Sequence, residues 1–344
     1  MSTSSPIAVA VATNAFSEAK SMVKDMAAET DQQMPKRGIV YALIASVLFG
    51  LTTPLSKGLV SKIDPQLLAG LFYLGSGIGL SVLFAFKKLT NKRQSVQKIH
   101  FPKLEWSFLG PAILAGGVFA PVLLMVGLVS TPGSTASLLL NIESVLTAFI
   151  AWFVFKENYD KRIFIGMLAI VAGGAVLSMG SSLLILPPIG CLLVIAACLC
   201  WAIDNNLTRK VSAADALLIA TLKGLVAGVI NTGLALFYGK ALPSPENLMT
   251  AFTVGFLGYG VSLVLYVLAL RHIGAARTGA YFAVAPFLGA AISLLVFHEA
   301  ITTNLFVAGV LMGLGLWLHL TEHHSHEHVH NELKHAHEHV HDEH

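Results

Sequence analysis

Ten runs of about twenty mostly apolar residues follow one another along this chain, and that is the length a helix needs to cross the hydrocarbon core of a bilayer. They are Gly38–Val60, Gln66–Phe86, Trp106–Ser130, Ser134–Phe155, Ile163–Ser181, Pro188–Thr208, Ala213–Tyr238, Met249–Leu270, Ala275–Phe297 and Ile301–Leu320. Only 12% of the 344 residues are charged, against about 25% in an ordinary soluble domain. The expected fold class is therefore all-α and integral to the membrane, with ten transmembrane helices. Ser182–Pro187 and Arg271–Gly274 are the tightest links, and short links make neighbouring helices antiparallel.

The basic residues test that count, because cytoplasmic loops collect lysine and arginine. With the N-terminus in the cytoplasm, eighteen basic residues fall on the inner side, Lys87, Lys88, Lys92, Arg93, Lys156, Lys161 and Arg162 among them. The outer side receives Lys57, Lys62 and Lys240, and Lys223 is left inside a span. Dropping one helix would scramble this bias. The expectation is a multi-pass protein of the cytoplasmic (inner) membrane with both termini inside. Residues 1–37 read as a cytoplasmic tail: the apolar stretch Ile7–Ala12 is too short for a signal peptide and lacks a basic flank.

The chain repeats itself. Gly127–Glu157 reads GLVSTPGSTASLLLNIESVLTAFIAWFVFKE, and Ala269–Glu299 reads ALRHIGAARTGAYFAVAPFLGAAISLLVFHE, aligned without a gap. Earlier in each half, FGLTTPLSK at Phe49–Lys57 matches WAIDNNLTR at Trp201–Arg209. The repeat unit is five helices, residues 38–181 and 188–320. Five is odd, so the second copy enters the membrane the other way up, an arrangement that recurs in secondary transporters. Two inverted halves can exchange inward- and outward-open forms around a site near the midplane.

With these features the chain resembles the EamA-type transporters of the drug/metabolite transporter superfamily, over roughly Gly38–Leu320. The resemblance rests on the duplicated unit, on Phe49-Gly50 and Trp201-Ala202 in the first helix of each half, and on the fourth-helix motif ending in Glu157 or Glu299. Pro286 is the family's mid-helix proline. The first half departs from that pattern with Ser144, preceded by Glu143. The resemblance implies a ten-helix exporter or exchanger of small polar metabolites.

A charge at the bilayer centre costs roughly 2.5–3.5 kcal/mol on insertion scales, which makes buried polar groups the functional candidates. Glu143, with Asn141 nearby, lies about halfway along the fourth span, and Lys223 lies in the seventh with Asn231 two turns on. Asp204, Asn205 and Asn206 sit toward the cytoplasmic end of the sixth, and Thr52 holds the matching place in the first half. Two readings stand for Glu143 and Lys223. They form a buried ion pair tethering the halves, or they line the cavity, with Glu143 taking a proton or a cationic group and Lys223 a carboxylate. Asp204 has Arg209 as its nearest candidate partner in sequence.

Gly75-x-x-x-Gly79, Gly224-x-x-x-Gly228 and Gly309-x-x-x-Gly313 allow helices to approach closely, within the chain or, alternatively, in a homodimer. Pro111, Pro121 and Pro286 are placed to kink helices or free carbonyls. Cys191, Cys198 and Cys200 share one run without metal-ligand spacing and read as small apolar residues.

After Leu320 the composition changes. His324, His326, His328, His330, His335, His337, His339 and His341 alternate with other residues, several of them glutamate, across a cytoplasmic tail at 321–344. Imidazoles in this pattern suit zinc or nickel, or make a tail whose charge follows pH. The transport reading requires no cofactor; zinc or nickel at the tail is the one metal expected. The partners are the lipid bilayer and a small-molecule substrate, with no nucleic acid. A divalent-metal exporter is the alternative function, set back by spans that carry no deep histidine. No nucleotide loop, nucleophile elbow or HExxH motif points to an enzyme.

Overall fold

The computed structural model describes residues 36–90, 103–155, 161–178, 188–211 and 216–320. Among these every one of the ten apolar runs is helical and no strand occurs. Seven helices are long and apolar enough to cross a membrane: α1 (Lys36–Leu59), α2 (Pro65–Ala85), α3 (Trp106–Ser130), α4 (Gly133–Val154), α6 (Ile189–Thr208), α7 (Leu217–Phe237) and α8 (Pro245–Ala269). Three shorter apolar helices, α5 (Phe164–Ser178), α9 (Ala285–Phe297) and α10 (Thr303–Leu318), occupy the remaining runs. Val82, Phe119, Phe153, Val229, Leu295 and Phe306 are all exposed. Lipid satisfies such an apolar exterior, and helices satisfy their own backbone within it.

Where helices meet, glycine sets the distance. A Cβ on Gly77 of α2 would lie 2.5 Å from the Leu225 nitrogen of α7, and one on Gly224 would lie 2.6 Å from the Gly77 nitrogen. Backbone thus rests on backbone, which only glycine permits. Gly75 and Gly79 face Phe252 and Phe256 of α8, and Gly228 faces Leu74, so these two GxxxG pairs are used inside the chain. The third pair behaves differently. Cβ atoms at Gly309 and Gly313 would find their nearest neighbours at 3.8 and 3.9 Å, an ordinary contact. The close approach on α10 comes instead at Gly315, 2.5 Å from the Gly166 carbonyl of α5 on the same measure.

The repeat has a structural counterpart. Residues Ile113–Phe119 of α3 and Gly255–Val261 of α8 are π-helical, and their spacing in the chain equals that between Gly127 and Ala269. A π-turn widens the helix and leaves backbone carbonyls looking for other donors. Pro111 lies two residues before the first, but the proline ahead of the second, Pro245, is ten residues away, so proline is not the common cause; the two segments contain two and three glycines. A second matched irregularity interrupts the fourth helix of each half. The helix of α4 breaks at Leu140–Asn141 and resumes at Ile142. In the second half helical backbone breaks at Ala283–Val284, and α9 starts at Ala285 with Pro286 in its first turn. Ser144, at the place of Pro286, donates its hydroxyl to the Asn141 carbonyl at 2.7 Å, so the departure from the proline pattern keeps the break.

One expected loop is helical. Helical backbone conformation extends from Ser262 to Phe282 and includes Arg271–Gly274. The axis nevertheless reverses there. Sixteen residues of straight helix would separate Tyr266 from Phe282 by about 24 Å, yet their ring centroids are 4.8 Å apart. Neighbours on α1 locate the turn. Phe49 touches both Tyr259 and Phe282, while Tyr41, two turns earlier, meets His272 edge to face.

At the opposite end of α1, Lys57 donates to the Leu128 carbonyl at 2.6 Å and so caps the C-terminus of α3. Close by, the Glu299 carboxylate accepts from the Gly133 and Ser134 amides at 2.7 and 2.9 Å, capping α4. His298, left-handed at φ 51°, turns the chain so that Glu299 points back. The motif glutamate is thus a helix cap tying α9 to α4. Glu299→Ala is expected to cost about 1–2 kcal/mol, read as a lower melting temperature of the purified protein, with Glu299→Gln losing less.

Candidate functional site

The polar residues of the two halves meet where α3 and α4 pack on α6. Asp204 of α6, 7% exposed, forms an ion pair with Lys223 of α7. Thr208, one turn beyond Asp204, completes a triangle: its hydroxyl donates to Asp204 at 2.8 Å and accepts from Lys223 at 2.7 Å. Lys223 therefore pairs with Asp204 and not with Glu143, so Asp204 has a partner on a neighbouring helix; the Arg209 side chain lies outside what is described. Spacing along one helix cannot show a partner on another; packing supplied it.

The π-turn of α3 receives this cluster. Two donors converge on the Gly116 carbonyl, the Tyr73 hydroxyl at 2.7 Å and the Trp201 indole nitrogen at 3.0 Å. A Cβ on Gly116 would collide with the Asp204 carboxylate. On the other side the matching glycine, Gly258, would collide with Thr52. Asp204 and Thr52 are thus matched in position as well as in sequence, each against the π-turn of its partner half. Gly116→Ala is expected to push Asp204 off Lys223 at a cost of about 1–3 kcal/mol, visible as a lowered melting temperature.

Glu143 opens the resumed segment of α4, in its first turn. The positive end of that segment favours a negative charge there, while the Glu143 and Ser144 amides donate to the Leu140 and Asn141 carbonyls at 3.1 and 3.2 Å. Its Oε1 accepts from Asn205 Nδ2 at 2.8 Å, and Asn205 also reaches Thr147 Oγ1 at 3.4 Å. Glu143 is partly exposed and Asn205 exposed. Among the described residues the ion pairs are Lys223 with Asp204 and Lys240 with Asp64, so no described cation pairs with Glu143. Glu143, Asp204 and Lys223 together carry one net negative charge when ionised.

The remaining candidates serve the backbone. Asn206 donates to the Thr147 and Ala202 carbonyls, binding α6 to α4. Asn141 returns to the Leu138 carbonyl at 2.9 Å, at the break in α4. Asn231 donates to the Val118 carbonyl at 3.2 Å at the end of the π-turn, while its own oxygen has no partner among the described residues. Thr52 donates to the Phe49 carbonyl at 2.6 Å. The eight tail histidines from His324 to His341 lie outside the described residues; among those described, no group of three or more metal-ligating side chains occurs. Sequence reasoning missed Thr208, Thr147, Tyr73, Trp201 and Gly116. Two of them carried a signal: Thr208, four residues from Asp204 on a helix, and Trp201, in the motif that matches Phe49-Gly50.

A ring cluster adjoins the polar groups. Tyr259, in the π-turn of α8, contacts Phe49 at 6.2 Å, Phe72 at 5.9 Å and Tyr73 at 5.5 Å between centroids. Phe49 continues to Phe282, and Phe282 to Tyr266.

The family model for EamA-like transporters matches the chain twice, over residues 36–179 and 188–321. An uncharacterized transporter of Methanothermobacter thermautotrophicus is 26% identical over 294 residues, covering 82% of this chain and 85% of that protein. The uncharacterized transporter YyaM of Bacillus subtilis is 24% identical over 294 residues, covering 79% and 91%. A solved crystal structure shares the fold with a TM-score of 0.61 at 16% identity, covering 81% of this chain and 95% of that one.

Proposed function

The chain belongs to the EamA-like transporter family, and from that premise we propose that it is a secondary transporter exporting small polar metabolites across the cytoplasmic membrane by alternating access. The observation that carries this reading is Glu143: a carboxylate inside the bundle, at the start of a broken helix, with an amide for its partner. A membrane protein keeps such a group at the cost of its desolvation, and substrate or proton passage is the usual return. The matched π-turns and matched breaks favour two halves built as inverted repeats, five helices in residues 38–181 and five in 188–320, with both termini cytoplasmic. On this reading Glu143 exchanges a proton for substrate, Asn205 and Thr147 orient its carboxylate, and Asp204 with Lys223 holds α6 against α7.

Profiling the medium of cells that express the chain against cells that carry an empty vector tests the proposal. Accumulation of one or a few small polar metabolites outside the expressing cells is expected. Identical media would remove the exporter reading. A second reading, export of zinc, nickel or cobalt, rests on the histidines of 321–344. Deleting that tail is expected to leave cellular metal content and metal tolerance unchanged; a rise in metal content on deletion would favour the metal instead.

A further inference from the structure

Resting on the transporter reading, we propose that the Glu299 carboxylate latches a gate between α4 and α9, and that its release opens one end of the chain while the opposite end closes. The two halves meet at this seam with backbone nearly on backbone. A Cβ on Gly50 of α1 would lie 2.7 Å from the Ala285 carbonyl of α9. One on Gly289 of α9 would lie 2.7 Å from the Gly50 carbonyl and 2.8 Å from Ser137 Oγ of α4. One on Gly133, at the start of α4, would lie 2.6 Å from Ser293 Oγ of α9. Ser137 and Ser293 are buried, and their hydroxyls find no hydrogen-bond partner among the described residues. Among those residues, the bonds that cross this seam are the two that the Gly133 and Ser134 amides donate to Glu299, at 2.7 and 2.9 Å. The seam is packed by contact and bonded at Glu299.

The internal repeat supplies the second, independent observation. In the gapless match of Gly127–Glu157 with Ala269–Glu299, Ser137 corresponds to Gly279 and Gly289 to Thr147. Were both ends shut alike, Gly279 would lie against Thr147 as Ser137 lies against Gly289. It does not: a Cβ on Gly279 would meet nothing within 4 Å. Thr147 is met instead by Asn205 and Asn206 of α6. One contact is closed and its repeat mate is open, the asymmetry that inverted halves show in either end state of an exchange. Opening the closed end breaks the two bonds to Glu299. In return water reaches the Ser137 and Ser293 hydroxyls, which are unpaired while the seam is shut. The breaks at Leu140–Asn141 and Ala283–Val284 border the two seam segments and give each a place to bend. In the orientation proposed above, the latched end is the outer one and the chain rests open toward the cytoplasm.

Maleimide labelling of the full chain in lipid nanodiscs, where water reaches both faces, tests the latch. Cys191, Cys198 and Cys200 are replaced with alanine, and either Ser293→Cys or Gly279→Cys is added. With Glu299 intact, Gly279→Cys is expected to react readily and Ser293→Cys slowly. Glu299→Ala deletes two charge-assisted bonds. It should speed labelling of Ser293→Cys about tenfold and slow labelling of Gly279→Cys, because the two ends open in turn. Glu299→Gln, which keeps an acceptor oxygen, should move both rates the same way by less, and it serves where the alanine variant folds poorly. An unchanged rate at Ser293→Cys in both variants would overturn the proposal. So would faster labelling at both sites together, which marks general loosening and not a gate. If labelling is unchanged while expressing cells still export metabolites, the latch falls and the transporter reading stands. Identical media remove the exporter whatever the labelling.

Discussion

Glu143→Gln should abolish export while the protein inserts and melts as the parent does. The substitution keeps the shape of the side chain and an oxygen for Asn205 Nδ2, which now lies 2.8 Å from Oε1, so the tie between α4 and α6 survives. Only the charge and the exchangeable proton are lost. Removing one partner of a buried charged contact costs about 2–5 kcal/mol, about 30-fold or more at 1.4 kcal/mol per tenfold. If the proton is also the coupling ion, the residual rate drops further, because glutamine cannot carry it. Efflux of the exported metabolite from preloaded vesicles gives the rate, and size-exclusion profiles of the same preparations show that folding is intact. Full activity of the glutamine variant would remove Glu143 from the mechanism. Loss of folding together with activity would assign the carboxylate a structural role.

Much of the architecture was legible because bilayer physics writes it in one dimension. A span needs a fixed length of apolar residues, so run lengths sufficed to place helix in each of the ten apolar runs. The gapless match of Gly127–Glu157 with Ala269–Glu299 located the fourth helix of each half, but Ser144 in place of a proline gave no sign that the first is broken as the second is. What lay beyond reach was relational. An ion pair between Lys223 and Glu143 was one of the two readings their sequence positions allowed. The partner of Lys223 proved to be Asp204, set by the close α2–α7 packing at Gly77 and Gly224 and by the space that Gly116 leaves for a carboxylate. The π-turns have no composition of their own, so Gly116 could not be read as the acceptor of Tyr73 and Trp201. Glu299 illustrates the reverse: its motif was plain, yet its work as the cap of α4 needed the fold to bring residues 133 and 299 together.

The same relational logic makes Lys223 the most sensitive position for stability. Lys223→Met keeps the length and apolar stem of the side chain but leaves Asp204, 7% exposed, with Thr208 as its remaining polar contact within the triangle. Breaking a buried pair by deleting one partner costs about 3–5 kcal/mol, because an uncompensated charge stays behind, whereas replacing both partners with apolar or neutral groups is close to neutral. Lys223→Met alone is therefore expected to fold poorly and melt well below the parent. Adding Asp204→Asn should recover most of the loss, to within about 1 kcal/mol, since asparagine still fits over Gly116 and can bond Thr208. Melting temperatures of the parent, both single variants and the double variant close a thermodynamic cycle. A double variant no better than Lys223→Met would mean that the lysine acts through something other than Asp204. Recovery of stability with export retained would show that the pair holds α6 to α7 and leaves the chemistry to Glu143; recovery without export would place the pair on the transport path itself.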